Sequence, residues 1–448
     1  MYSMRFILNT LFYFLCLSSA VGQNLTSHPL SNIGIGEIGQ NSHSIYDCLG
    51  RGYDAYYDSS QLNYFNPSSY SSLSTGNTLL SLGINARISN YKQGQESAVM
   101  PIAMVDHFVL GFKIMKRMGL AFGLTPFSKK GYEISERIYT GVDSLKYIYS
   151  GNGTVNKLFA GYSYSLINSK KVKLTTGFNI AYLFGTLNND RMSLLIDNNS
   201  LSGGLSRTSL GVKAFHYNLG MTYKHIINKN YHLIIGGTVE PAQRFNTTFN
   251  SAFYTSNTIF NPSSYDTLSI NSSKGQLSSK TNYSIGMTHK FILGALKRKN
   301  KTLHPNLIVT TSYSLKNSLA SNLDSSFINT YKGTHIGFGI QYSPETNPYE
   351  NSTSLKFLDK LTYRIGGFYD KMPYFQNGKQ FIDRGISLGF GIPILVQQSL
   401  SSINISVSAG QRSNFVSNSL NENYLGISFG IILSPANFER WFRKRKLD

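Results

Sequence analysis

From Thr78 onward the chain alternates. Leu80, Leu82, Ile84, Ala86 and Ile88 occupy one set of positions, and Ser81, Gly83, Asn85, Arg87 and Ser89 the other. A period of two puts these sets on opposite faces of a strand. The pattern returns along the chain. Phe108, Leu110, Phe112 and Ile114 oppose Val109, Gly111 and Lys113. Phe215, Tyr217, Leu219, Met221 and Tyr223 oppose His216, Asn218, Gly220, Thr222 and Lys224. Ile386, Leu388, Phe390 and Ile392 oppose Gly385, Ser387, Gly389 and Gly391, and Leu425, Ile427, Phe429 and Ile431 close the series. One face is apolar with Tyr and Phe, and the other is small and polar. A β-sandwich also alternates, but it buries its apolar face between two sheets. Long strands with aromatics near their ends predict instead an all-β fold, a transmembrane antiparallel β-barrel of about 14 strands over residues 77–434. Lys116-Arg117, Lys170-Lys171 and Asn228-Lys229-Asn230 read as short periplasmic turns. The longer polar stretches 188–206, 246–279, 316–330 and 344–354 read as extracellular loops.

The stretch ahead of the strands has no period. Residues 33–73 are rich in Gly, Ser, Asn and Tyr. About 40 aperiodic residues before a first strand call for a functional role or disorder. The expectation is an N-terminal hatch, residues 23–76, held inside the lumen. Its end carries Tyr64, Phe65, Asn66, Pro67 and Ser68, the candidate gating residues. Asn-Pro followed by Ser-Ser is a turn former, and Phe65–Tyr70 is echoed at residues 260–265 with no fixed period connecting further copies. Residues 1–22 have the layout of a secretory signal: Arg5, an apolar core at 6–17, and the small-x-small site Ala20-Val21-Gly22, leaving Gln23 first. Residues 435–448 form a basic C-terminal tail, with its cluster at Arg440–Lys446.

Composition narrows the function classes. Only 14% of residues are charged, against about 25% in soluble domains. Tyr (30) and Phe (28) are abundant beside one Trp. No stretch approaches the apolar length of a spanning helix, so an exported chain of this kind is a periplasmic or secreted β-protein or an outer-membrane barrel. The formal charge of +20 is scattered along strands and turns. In an exported protein that makes outer-membrane lipids and lipopolysaccharide phosphates the natural counter-charges, and nucleic acid a poor partner. Beyond the signal, Cys48 is the one cysteine, which rules out an internal disulfide or a zinc site.

Motif chemistry is sparse. Gly34-Ile35-Gly36-Glu37-Ile38-Gly39 matches the dinucleotide fingerprint, but without the preceding strand and following helix that it requires. Gly385–Gly389 and Gly426–Gly430 match the nucleophile-elbow pattern inside alternating strands, where small lumen-facing residues are the simpler reading. The nine histidines show no paired-ligand spacing. His107, His216 and His335 are expected to face the lumen. Glu133 and Glu136 beside Arg137 are read as a lumen charge network. No metal, cofactor or catalytic residue is assigned.

Several segments, taken in order, resemble the outer-membrane long-chain fatty acid transporter family (the FadL/TodX type), and most the members of that type found in Bacteroidota. They are Ile33-Gly34-Ile35-Gly36-Glu37-Ile38, Asn66-Pro67-Ser68-Ser69-Tyr70, Tyr363-Arg364-Ile365-Gly366, Gly389-Phe390-Gly391-Ile392-Pro393, Asn421-Glu422-Asn423-Tyr424 and Trp441–Lys446. The resemblance implies a 14-stranded barrel with a lumenal hatch, passive uptake of small apolar compounds, and a hatch movement that opens the route. Asn66-Pro67-Ser68 falls where that family carries Asn-Pro-Ala. Against this stand the small and polar inward positions, which line no apolar pocket; Tyr53, Tyr56, Tyr57, Tyr64 and Phe65 of the hatch are the residues left to build one. Three function classes follow: a transporter of a hydrophobic small-molecule ligand; a non-transporting barrel subunit with protein partners in a secretion or assembly complex; and an outer-membrane lipid hydrolase. An apolar cavity beside the hatch favours the first, a packed polar lumen the second, and a Ser–His contact the third.

Overall fold

The structure, a computed structural model, describes residues 28–39, 43–74, 78–139, 141, 144–195, 203–256, 266–298, 301–321, 331–346, 355–376, 378–394 and 401–434. The expected signal, the basic tail and the second Asn-Pro-Ser-Ser copy lie outside these residues. The strands are β1 (Glu37–Ile38), β2 (Thr78–Gln93), β3 (Glu96–Met115), β4 (Met118–Tyr139), β5 (Ser144–Asn168), β6 (Val172–Leu195), β7 (Gly203–Asn228), β8 (Tyr231–Glu240), β9 (Gln243–Ser256), β10 (Asp266–Ser279), β11 (Asn282–Ile292), a small hairpin β12 (Leu296–Arg298) and β13 (Lys301–Leu303), β14 (Asn306–Asn317), β15 (Ala320–Ser321), β16 (Lys332–Ser343), β17 (Thr362–Gln376), β18 (Lys379–Pro393), β19 (Ser402–Ser413) and β20 (Asn421–Leu433). β8 with β9, β10 with β11, and β14 with β15 each run as one strand interrupted by two residues. The result is a closed antiparallel barrel of 14 strands, sealed where β20 pairs with β2 from Leu80↔Leu433 to Lys92↔Asn421. A closed barrel with an apolar exterior leaves no backbone group unpaired against lipid; the protein is an outer-membrane β-barrel.

The alternation read from the sequence sets the two faces. Along β20, Leu425, Ile427 and Phe429 face out, while Tyr424, Ser428 and Gly430 are buried. His107, His216 and Asp383 all point into the lumen and are buried.

The wall is uneven. β4 to β7 have 22 to 26 residues, whereas β17 to β20 have 12 to 15. A membrane crossing needs about 9–11, so β4–β7, β9 and β10 stand well clear of the bilayer as a tall sheet. This corrects the loop assignments. Most of 188–206 and 246–279, and the start of 316–330, are strand. Above the bilayer both faces of a strand meet water, so the alternation fades: β10 is exposed at nearly every position. Of the stretch 344–354, residues 344–346 follow β16 on the short-turn end with Lys170-Lys171, not the extracellular end, and the rest lies outside the described residues. Glu133, Glu136 and Arg137 lie exposed on the tall part of β4, so they form no lumen network.

β3 and β4 pair only between Phe108↔Leu124 and Met115↔Met118. Above that, β3 follows β2 and β4 follows β5. The freed edge of β4 is taken by β1, through Glu37↔Lys129 and Ile38↔Ser128. β1 belongs to the inner segment, residues 28–39 and 43–74, which packs against lumen-facing side chains. It contains a 3-10 turn at Pro29–Asn32, one α-helical turn at Ser44–Asp47 and a 3-10 turn at Pro67–Ser72.

Candidate functional site

The inner segment meets the wall on two sides. On the side of β4 to β7 it lies against glycines. A Cβ at Gly177 would come within 2.5 Å of the Pro67 carbonyl group, one at Gly119 within 2.3 Å of the Tyr70 backbone, and one at Gly220 within 2.2 Å of Asn66 Oδ1. The lumen-facing glycines are therefore the recesses into which the turn at 66–72 is set. Asn66 caps that turn: its Oδ1 accepts from the Ser68 N–H (3.1 Å) and hydroxyl (2.7 Å), and its Nδ2 donates to the Asp54 carbonyl (2.6 Å) and to Thr222 Oγ1 (3.2 Å). The Tyr70 hydroxyl donates to Asn179 Oδ1 at 2.9 Å.

On the side of β17 to β20 glycines again receive the segment, Gly366 against Gly50, Gly389 against Cys48 and Gly430 against Ser44, and an ion network is added. Arg51 pairs with Asp370 and, at 3.5 Å, with Asp383. Arg412 reaches Glu37 (3.1 Å), Asp383 (3.3 Å) and Glu422 (3.4 Å). His28 lies 3.3 Å from Glu422, and Tyr424 donates to Asp383 at 2.7 Å. Arg51 and Arg87 also stack, 3.6 Å above the rings of Phe368 and Tyr424. Arg51 holds a left-handed φ of 60°, uncommon for a residue with a side chain; its two carboxylate partners fix it there. Below this cluster, Ser387 donates to the Asp47 carbonyl (2.6 Å), while Ser406 (3.2 Å) and Ser428 (3.3 Å) donate to its carboxylate. Burial raises the Asp47 carboxyl above its usual range, against the pull of Arg51 and these hydroxyls. Ser387 and Ser428, the centres of the elbow-like motifs, are thus lumenal anchors for the inner segment.

Between the two sides lies a cavity of about 220 Å³, smaller than the ~300–1,000 Å³ of typical small-molecule sites. Tyr53, Tyr64 and Phe65 form one wall, with the rings of Tyr53 and Phe65 stacked at 4.3 Å. Lys157, His216, Glu240, Lys316 and His335 form much of the other. Lys316 donates to the Tyr53 hydroxyl at 3.0 Å. Asp54, behind Tyr53, accepts a hydrogen bond from Ser284, and burial pushes its carboxyl up to about 6. Of the five hatch aromatics read from the sequence, Tyr53, Tyr64 and Phe65 reach the cavity. Tyr56 instead bonds Gln341 at 3.3 Å, and Tyr57 lies beneath the Lys224 ammonium. Asn66, Pro67 and Ser68 are buried in the wall contact.

A bulge in β3 brings a further cluster into the lumen. The register slips between Gly83↔His107 and Ile84↔Val105, leaving Asp106 as the extra residue. Asp106 bonds His107 Nδ1 at 2.8 Å, and His107 Nε2 lies 2.8 Å from Ser81 Oγ. This is the bonding order of a hydrolytic triad. Ser81 is only 1% exposed, is capped by His43 of the inner segment, and lies away from the cavity. No acyl group can approach it, so the contact does not support the hydrolase class. Sequence reading missed Ser81, Asp106, Arg51, Asp383, Arg412 and Glu422 as a set. Charged residues at inward-facing strand positions were the available signal.

A family profile described as BamG matches residues 4–448, nearly the whole sequence. The chain belongs to the BamG family. No curated protein matches it in sequence. Among solved structures, the Pseudomonas putida toluene transporter TodX matches with 14% identity and a TM-score of 0.51, covering 89% of this chain and 98% of that one. A Pseudomonas aeruginosa FadL homologue matches with 11% identity and a TM-score of 0.51, covering 89% and 99%. At these identities the likeness is one of fold: this BamG-family chain has the architecture of the FadL-type outer-membrane channels.

Proposed function

We propose that this BamG-family barrel is a plugged, non-conducting subunit of an outer-membrane protein assembly. Residues 28–74 act as its plug, and the tall wall is its contact surface. The observation that carries this reading is how the inner segment packs against the wall: glycine recesses on both sides, a buried ion network toward β17–β20, and, among the described residues, a cavity of about 220 Å³ lined by aromatic and charged side chains. Two features support the contact surface. The tall sheet exposes Ile138, Tyr139, Leu268 and Ile270 beyond the depth of the bilayer, where lipid cannot cover them. Lower down, exposed Lys213, Arg244 and Lys280 stand above outward-facing Phe215, Tyr217 and Tyr283, a placement suited to lipopolysaccharide phosphates. The test is native electrophoresis of gently solubilised membranes. The protein should migrate in a complex larger than its own mass, and Ile138→Asp with Leu268→Lys should release it as a folded, heat-modifiable monomer. Migration as a monomer from native membranes would sink the reading.

A second reading is passive uptake of a small apolar compound, with the hatch moving about Asn66-Pro67-Ser68 and Tyr64-Phe65. The aromatic wall of the cavity and the fold shared with a toluene transporter favour it. Uptake of labelled toluene or a fatty acid that is equal with and without the protein would exclude it.

A further inference from the structure

His43 joins the inner segment to the β3 cluster. Its Nδ1 accepts the Ile45 N–H at 3.2 Å, capping the helical turn Ser44–Asp47. An accepting Nδ1 carries no proton, so the ring's hydrogen is on Nε2, which lies 3.4 Å from Ser81 Oγ. Ser81 then gives its own hydrogen to His107 Nε2, and His107 Nδ1–H donates to Asp106. The Tyr64 hydroxyl donates to the same carboxylate at 3.4 Å, returning the chain of bonds to the inner segment. Every donor in this line has one acceptor, provided both imidazoles are neutral. The two rings are also stacked, 4.6 Å apart and 14° from parallel. His107 lies so flat on the wall that a Cβ at Gly83 would come within 2.3 Å of it.

We propose that His43, Ser81, His107 and Asp106 form a proton-operated latch that holds the inner segment against β2 and β3 at neutral pH and releases it in acid. A proton on His43 Nδ1 removes the acceptor of the Ile45 N–H and so uncaps the turn. It also places a cation against the stacked His107 ring, out of water. The charged and titratable groups around the pair are Asp106, Tyr64, Tyr46, Arg364 and Lys129. Asp106 is the anion among them that bonds to an imidazole, that of His107. Burial, with His107 and Arg364 adding to it, holds the His43 imidazole well below the usual histidine range. A basic group so depressed keeps the latch closed above the usual histidine value. The latch weakens as pH falls below it, because the released state binds the proton more readily. The latch stands whether or not the barrel transports.

Cys48 is a native reporter. It is fully buried one residue past the capped turn, with its thiol donating to the Ser44 carbonyl at 3.0 Å. The purified full-length protein is treated with dithiodipyridine, a thiol reagent that works in acid, at pH values from about 7.5 to about 4.5. The rate of Cys48 modification should climb by up to about tenfold per pH unit for each proton taken up on release. His43→Asn keeps a capping oxygen but cannot be protonated, so its profile should be flat. Asp106→Asn, which removes the carboxylate that accepts from both His107 and the Tyr64 hydroxyl, should weaken the latch and move the midpoint to higher pH. A flat wild-type profile overturns the latch, as does an unaltered rise in His43→Asn. Should His43→Asn fail to reach the heat-modifiable barrel state, an unmoved midpoint in Asp106→Asn overturns it instead.

Discussion

Both sides of the inner segment rest in glycine recesses, but one of them adds a buried ion network. Toward β4–β7, Pro67, Asn66 and Tyr70 lie in recesses that exist because Gly177, Gly220 and Gly119 lack side chains. That seat is short-range and indifferent to protonation. Toward β17–β20, Arg51 and Arg412 share Glu37, Asp370, Asp383 and Glu422. That seat depends on all its members being present, since one missing partner leaves a buried charge uncompensated. Shape seats the segment on both sides, and charge is added toward β17–β20.

The largest effect should come from the charged side. Arg412→Met leaves Glu37, Asp383 and Glu422 without their shared cation, and should weaken seating by about 3–5 kcal/mol, read as faster Cys48 modification at neutral pH. Adding Asp383→Asn to it should recover part of that loss. Toward β4–β7, Gly177→Ala drives a methyl into the Pro67 carbonyl group and should cost about 1–3 kcal/mol, with no change in pH dependence. A matching pH shift in this variant would show that the two sides are not separable. Asn66→Ala removes the cap of the turn at 67–72 and should cost about 1–2 kcal/mol by the same readout.

A subtler test uses Asp54, whose carboxyl burial raises to about 6. The buried state favours its protonated form, so this group adds to seating as pH falls through about 6, opposite in sign to His43. Asp54→Asn should therefore steepen the acid release, whereas His43→Asn abolishes it. Smallest of all, Arg207→Gln breaks the exposed pair with Asp190 on the tall wall and should change seating by less than about 0.5 kcal/mol.

How much of this was legible in the sequence followed the solvent. Where one face met lipid and the other the lumen, as in β2, β7 and β18–β20, the period of two located the strands and their faces. Above the bilayer, as in β10, both faces meet water and the same strand reads as a loop. The inner segment was visible as an interruption in the pattern, and Tyr64–Ser68 as its closing turn. Its partners were not visible. Asp370, Asp383, Arg412 and Glu422 stand side by side through the registers of four consecutive strands, and Arg51 reaches them from the inner segment; Asp106 turns inward only because of a one-residue bulge that no periodicity announces. The elbow-like Ser387 and Ser428 were rightly read as small lumen residues; their bond to Asp47 needed the fold.

The central claim is that residues 28–74 close the lumen, and planar-bilayer recording of the full-length protein tests it most directly. At neutral pH and low voltage the intact chain should show no steady conductance, and removal of residues 28–74 should open a large, stable pore. A steady conductance in the intact chain, comparable to that of the shortened one, would contradict the account.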